Sequence, residues 1–189
     1  SKFDTVTLEQ IRQIPGVKGV ITTLYDTAPG EVWSREHIRA MKEEVEAAGL
    51  HISGIESVNV HDAIKTGSEE RDMYIDNYIE TLENLGKEDI HLVCYNFMPV
   101  FDWTRTELAR RRPDGSTVLA YTQEAVDALN PEDMFDSIAS DTNGTVMPGW
   151  EPERMAHIKE LFEMYKEIDD EKLFENLKYF LEAIMPVCD

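Results

Sequence analysis

Polar side chains collect where two apolar runs stop. The run HISGI gives way to Glu56-Ser57-Val58-Asn59-Val60-His61-Asp62. The run IHLVCYNF ends on Tyr95 and Asn96, and its continuation carries Asp102, Trp103, Thr104 and Arg105. Glu56, Ser57 and His61 lie within six residues of one strand end. A glutamate and a histidine so placed have the chemistry of metal ligands, of a general acid and base, or of groups that bind hydroxyls. The structural alternative is that Glu56 pairs with a lysine or arginine while His61 caps the next segment. In the second stretch an amide, a carboxylate and a guanidinium stand among aromatics, which suits a polar, aromatic-walled pocket for a small polyol or sugar acid. Tyr25 and Asp26 end an earlier apolar run and read as the start of a turn, with a functional role as the alternative. Cys94 sits inside an apolar run without a neighbouring base, so a small buried side chain is expected rather than a nucleophile. Arg110 to Arg112 read as a solvated loop, with an anion clamp as the alternative.

The elements that hold these residues show in periodicity and punctuation. Thr7 and Gln10 have the spacing of a capping box, and Pro15-Gly16 stop that short helix. A strand follows in VKGVITTLYD. Ser34 then caps a helix with Ile38, Met41, Val45 and Ala48 on one face, ended by Gly49. HISGIESVNV reads as a second strand and KTGSEER as a polar turn. A helix with Ile75, Tyr78, Ile79, Leu82 and Leu85 comes next, closed by Gly86, and IHLVCYNF is the third strand. Strands beginning near residues 17, 51 and 90, with helices between them, have the rhythm of parallel βα units. In such folds ligands bind beyond the carboxyl ends of the strands, where the polar clusters lie.

After Phe97 the rhythm breaks. Residues 98–149 read as a long loop insertion with short helices near 122–129 and 131–138. Two helices close the chain, one with Pro152 at its start and one stopping at Pro186. Three strands do not bury a parallel sheet on both faces. The 189 residues are therefore expected to form the amino-terminal part of a larger α/β protein, a barrel of eight βα units needing about 250 residues.

Composition narrows the function. Eighteen basic against 38 acidic residues give a net charge of −20, which repels phosphate backbones and argues against nucleic acid. No apolar run is long enough to span a membrane, and two distant cysteines make no disulfide framework, so a cytoplasmic protein is expected. Phosphate-binding glycine loops, HExxH and GxSxG are absent.

At VCYNFMPVFDWTRTEL the chain resembles the D-mannonate dehydratase family. DTVTLEQIRQIPGVKGVITTLYD, GEVW at 30–33, IESVNVHDAIKTG and NLKYFLEAIMPV carry the same resemblance. Asn59 stands where the family more often has proline. The resemblance implies a TIM barrel of the xylose-isomerase-like type, of which residues 1–189 would be one part. It implies loss of water from D-mannonate to give 2-keto-3-deoxy-D-gluconate in glucuronate breakdown, with Mn²⁺ or Fe²⁺, and a tendency to homo-oligomers. The family's first-strand segment and its His-Pro-Asp-Asp-Pro motif are not in these residues, so metal ligands are expected beyond residue 189, and the piece alone is expected to be inactive. Glu56, Ser57, His61, Asn96, Asp102, Trp103 and Arg105 remain as pocket residues. His61 and Asn96 are expected toward hydroxyls, Arg105 toward a carboxylate or a structural aspartate, and Trp103 as a wall. A sugar isomerase or epimerase on the same barrel, or a non-catalytic acidic binding fragment, is the alternative.

Overall fold

The computed structural model describes residues 5–100, 105–127 and 158–188. They divide into two compact units, one formed by residues up to 99 and from 160 onward, the other by residues 100–159. Among the described residues no helix is long and apolar enough to cross a membrane.

The first unit starts with α1 (Leu8–Arg12). Its capping box forms as expected: the Thr7 hydroxyl accepts the Gln10 N–H and the Gln10 side chain accepts the Thr7 N–H. β1 (Gly19–Thr22) and β2 (His51–Ile55) pair in parallel, from Gly19 opposite His51 to Thr22 opposite Ile55. Between them runs α2 (Arg35–Ala47), capped by the Ser34 side chain and burying Ile38 and Val45. That is the helix, cap and face expected from the spacing.

The third parallel segment is less regular than expected. Only Val93 bridges to Ile55, with the Ile55 N–H donating to the Leu92 carbonyl and the Cys94 N–H to the Ile55 carbonyl. One bridge does not make a ladder, and Leu92 and Tyr95 remain exposed. Cys94 is likewise exposed, contrary to the buried role expected from its apolar neighbours. Alternation puts it on a face with little packed against it.

Two helices differ from expectation. α3 (Asp62–Thr66), a single turn too short to show a period, takes in Lys65 and Thr66 from the start of the expected polar turn. α4 (Arg71–Lys87) begins within the expected turn and runs through Gly86 instead of stopping there. α6 (Ile158–Tyr165) and α7 (Asp170–Ile184) are the final helices, the latter capped by Asp169 and followed by a 3₁₀ turn at Met185–Val187 that contains Pro186. The expected helix start at Pro152 and the short helix at 131–138 lie outside the described residues.

The core gathers β2, α2, α3, α4 and α7 around Phe180, which is fully buried. Tyr78 meets its edge at 5.0 Å between ring centroids, and Tyr95 and Phe97 approach at 5.9 Å each. Tyr95 and Phe97 were expected to line a pocket; they instead join the third segment to α7. Such ring pairs add about 0.5–1.5 kcal/mol each beyond the area they bury.

A second, polar face of α4 does as much for the loop after β1. Asn77, Thr81 and Asn84 recur at helical spacing. The Asn77 amide donates to the Gly30 carbonyl at 2.8 Å, and Asn84 donates to the Trp33 carbonyl at 3.0 Å. Thr81 accepts the Trp33 N–H at 3.1 Å. Near the end of α4, Glu88 takes three hydrogen bonds on one oxygen, two from Arg35 and one from Arg39. These bonds, Arg39's foremost, hold its carboxyl below the usual glutamate range.

The second unit contains a hairpin inside the expected long loop. β3 (Glu107–Arg111) and β4 (Thr117–Ala120) pair antiparallel, and α5 (Gln123–Asp127) follows near the first expected short helix. Pro113-Asp114-Gly115 make the turn. Gly115 takes φ +84°, Asp114 accepts the Ser116 N–H, and Arg112 donates its N–H to the Ser116 carbonyl. A turn followed by a left-handed glycine is a common three-residue hairpin link. Arg110 pairs with Glu107 at 2.8 Å within β3, and Arg111 is a strand residue too, so these two arginines are not the loop they resembled.

In the full-length protein, Asn84→Ala should leave the buried Trp33 carbonyl without its partner and cost about 1–3 kcal/mol in chemical denaturation. Glu88 gives a pH dependence. Because its folded-state pKa is lowered from 4.5, its contribution is present above that value and is lost as pH falls below it. Thermal melts of Glu88→Gln should therefore fall less steeply on acidification through that range than those of the parent. Equal slopes would remove Glu88 from the acid response.

Candidate functional site

The three parallel segments end on one side of the first unit, and a line of hydrogen bonds ties their ends together. Thr23, just past β1, donates its hydroxyl to the Ser57 carbonyl at 2.7 Å. Asn96, at the end of the third segment, donates its amide to the Ser57 hydroxyl at 3.4 Å, and that hydroxyl donates to Asn59 at 3.3 Å. Ser57 is therefore the buried middle of a rim, and Asn59 and Asn96 are its outer members. Of the residues expected from sequence, the structure brings Ser57 and Asn96 into direct contact.

Glu56 precedes Ser57 by one residue and, by strand alternation, presents its side chain on the opposite face. Its backbone N–H donates to the Thr22 carbonyl. The carboxylate is exposed and makes no hydrogen bond or ion pair among the described residues, so the expected alternative of pairing with a lysine or arginine is not what the structure shows. The free carboxylate is an acceptor, or a base, at the strand end.

His61 realises the structural alternative read from sequence. Its Nδ1 accepts the Ala63 N–H at 3.1 Å, so the imidazole is the N-cap of α3. A ring nitrogen that accepts cannot carry the proton, and in the neutral ring the hydrogen is then on Nε2. The ring also lies flat on Tyr74, with centroids 3.6 Å apart and 16° between planes. Behind the cap, Asp62 accepts from the Tyr165 hydroxyl at 2.7 Å and faces buried Lys65 at 3.7 Å. Asn176 on α7 donates to the Lys65 carbonyl. The loop bearing His61 is thus anchored from two helices.

Arg105 belongs to the second unit, just before the hairpin. Asp102 and Trp103 lie outside the described residues. Tyr25 and Asp26 line a groove of about 670 Å³ between α1, β1 and α2, a wider opening than the narrow cleft beside His61 and Tyr74. Among the described residues no group of three histidine, cysteine or acidic side chains is arranged to hold a metal ion. The donor set here is hydroxyl, amide and imidazole with one free carboxylate, which fits binding of alcohol groups better than a divalent cation. Thr23 and Tyr74 are the contributors that sequence reading missed. A β-branched hydroxyl residue just past a strand end was the available sign for Thr23, and nothing local marked Tyr74.

The comparisons with known proteins bear on the same residues. The family model for D-mannonate dehydratase (UxuA) matches residues 1–189. A mannonate dehydratase of Brachyspira hyodysenteriae is 68% identical over 187 residues, which are 99% of this chain and 53% of that protein. One from Thermotoga neapolitana is 53% identical over 188 residues, 100% of this chain and 52% of its own. The crystal structure of mannonate dehydratase from Streptococcus suis serotype 2 superposes with a TM-score of 0.80 at 40% identity, covering 98% of this chain and 47% of that one. The chain spans about half the length of the curated relatives it matches. Parallel strands in an α/β frame, a polar rim at their carboxyl ends and a match over residues 1–189 agree: the chain belongs to the D-mannonate dehydratase family.

Proposed function

We propose that these residues are one part of a hydro-lyase that converts D-mannonate to 2-keto-3-deoxy-D-gluconate, on a barrel of which β1, β2 and the third segment are consecutive strands. The observation that carries this reading is the family match over residues 1–189, with a relative of that name 68% identical over 187 residues. The geometry is compatible with it, since the hydroxyl and amide groups of Ser57, Asn59 and Asn96 share one end of the parallel segments.

The reaction takes the weakly acidic C2 proton beside a carboxylate and expels the C3 hydroxyl, so it needs a base, an acid and stabilisation of developing negative charge. A divalent ion, Mn²⁺ or Fe²⁺, would supply that stabilisation as a Lewis acid. The described residues hold no ligand set for one, and the part assigned to them is recognition. Asn96 and His61 donate to substrate hydroxyls, with Ser57 holding Asn96 in place. Arg105, toward a carboxylate, and Asp102 and Trp103 are assigned to substrate binding by their sequence motif alone. Glu56 offers an exposed carboxylate as acceptor or base. With a net charge of −20, an anionic substrate requires such local positive charge. The reading places the protein in the cytoplasm, as a homo-oligomer.

The full-length protein, supplied with Mn²⁺ and D-mannonate, should form the 2-keto-3-deoxy acid; no keto acid would overturn the reading. In the same assay Asn96→Ala should lower kcat/KM about tenfold, the value of roughly one hydrogen bond. Parent-like kcat/KM would take Asn96 out of the binding set.

A further inference from the structure

Three features set the imidazole of His61 where it is: a hydrogen bond, an aromatic face and a neighbouring position without a side chain, among other contacts. The bond from the Ala63 N–H fixes Nδ1. Tyr74, on the first turn of α4, covers one face of the ring. Gly30 closes against both rings. A Cβ placed on Gly30 would stand 2.5 Å from Tyr74 Cδ1 and 3.0 Å from His61 Cδ2, so no other residue fits without displacing the stack. Gly30 also takes φ +86°, which L side chains rarely adopt, and its carbonyl is held by Asn77, three residues along the same helix as Tyr74. One helix therefore sets both the ring and the backbone beside it. Among the described residues the Tyr74 hydroxyl makes no hydrogen bond, so what Tyr74 contributes is the face of its ring.

We propose that Tyr74 is a positioning residue for His61: its ring, seated against Gly30, fixes the imidazole plane so that Nδ1 stays on the Ala63 N–H and Nε2 keeps the proton as a donor. The catalytic consequence rests on the reading of His61 as a group that meets the substrate. An imidazole without this face would rotate about its side-chain bonds, lose the cap and populate the other tautomer, and its donor would no longer point in one direction.

The test uses the full-length protein, labelled with ¹⁵N-histidine, with the His61 signals assigned by their loss in His61→Gln. Two-bond ¹H–¹⁵N correlations report which ring nitrogen carries the proton. The parent and Tyr74→Phe should show the Nε2–H form and kcat/KM values within about twofold of each other. Tyr74→Leu keeps apolar bulk but loses the aromatic face; it should show mixed tautomers and a kcat/KM lowered about 10- to 100-fold. An unchanged Nε2–H pattern in Tyr74→Leu overturns the proposal whatever the activity. Mixed tautomers with parent activity uphold the positioning role and remove His61 from the substrate contacts. If His61→Gln keeps parent activity, the functional reading of His61 fails, while the tautomer measurement still decides on Tyr74. Should Tyr74→Leu not fold, Tyr74→Met carries the same readouts; failure of both to fold overturns the proposal, because the ring would then hold the fold and not the histidine.

Discussion

A backbone that passes through a packed interior must find partners for its N–H and carbonyl groups, because each one left bare costs about 1–3 kcal/mol. The loop from Gly30 to Trp33 meets that requirement on the side of α4. Asn77, Thr81 and Asn84 satisfy three of its backbone groups, and Trp33 is almost wholly buried as a result. The rest of the first unit follows from this grip. With the loop fixed, α2 starts at Ser34 in one orientation, Arg35 and Arg39 reach Glu88 at the far end of α4, and Gly30 lies where Tyr74 and His61 need a gap. Loss of the amide row would disturb packing and site together.

The parallel segments are joined in two ways that differ in kind. Along their length β1 and β2 share a backbone ladder, while the third segment has a single bridge. At their carboxyl ends side chains take over, with Thr23, Ser57 and Asn96 making a chain across all three. The rim is thus more continuous than the sheet beneath it. Charged or polar donors on such a rim are held by other polar groups, which limits their freedom before any ligand arrives and reduces the ordering cost of binding.

Much of this was legible before any coordinates. The capping residues Thr7 and Ser34 and the apolar rows of α2 and α4 each have a local signature, and each formed. The strand-end rule found Ser57 and Asn96 because it depends only on where an apolar run stops. What escaped was of two sorts. Short elements have too few residues to show a period, which hid α3 and split the hairpin at Pro113-Asp114-Gly115 into apparent loop, though the Asp-Gly pair between two strand-like runs was a usable sign. Long-range pairings leave no mark in a single sequence. Nothing local singles out Asn77, Thr81 and Asn84, and the aromatics at Tyr95 and Phe97 looked like pocket walls until Phe180 appeared beside them, more than 80 residues away. Cys94 was misplaced for the same reason, since an apolar run reads as buried whether or not a neighbour covers it.

The cap on α3 has a consequence for the division of labour in the chemistry. An imidazole that already accepts through Nδ1 and bears hydrogen on Nε2 has no lone pair left on the ring to take a proton. To serve as a base His61 would have to turn two N–H groups on the surroundings and surrender the first turn of the helix it begins. The fold thereby makes proton acceptance and helix initiation mutually exclusive uses of one side chain.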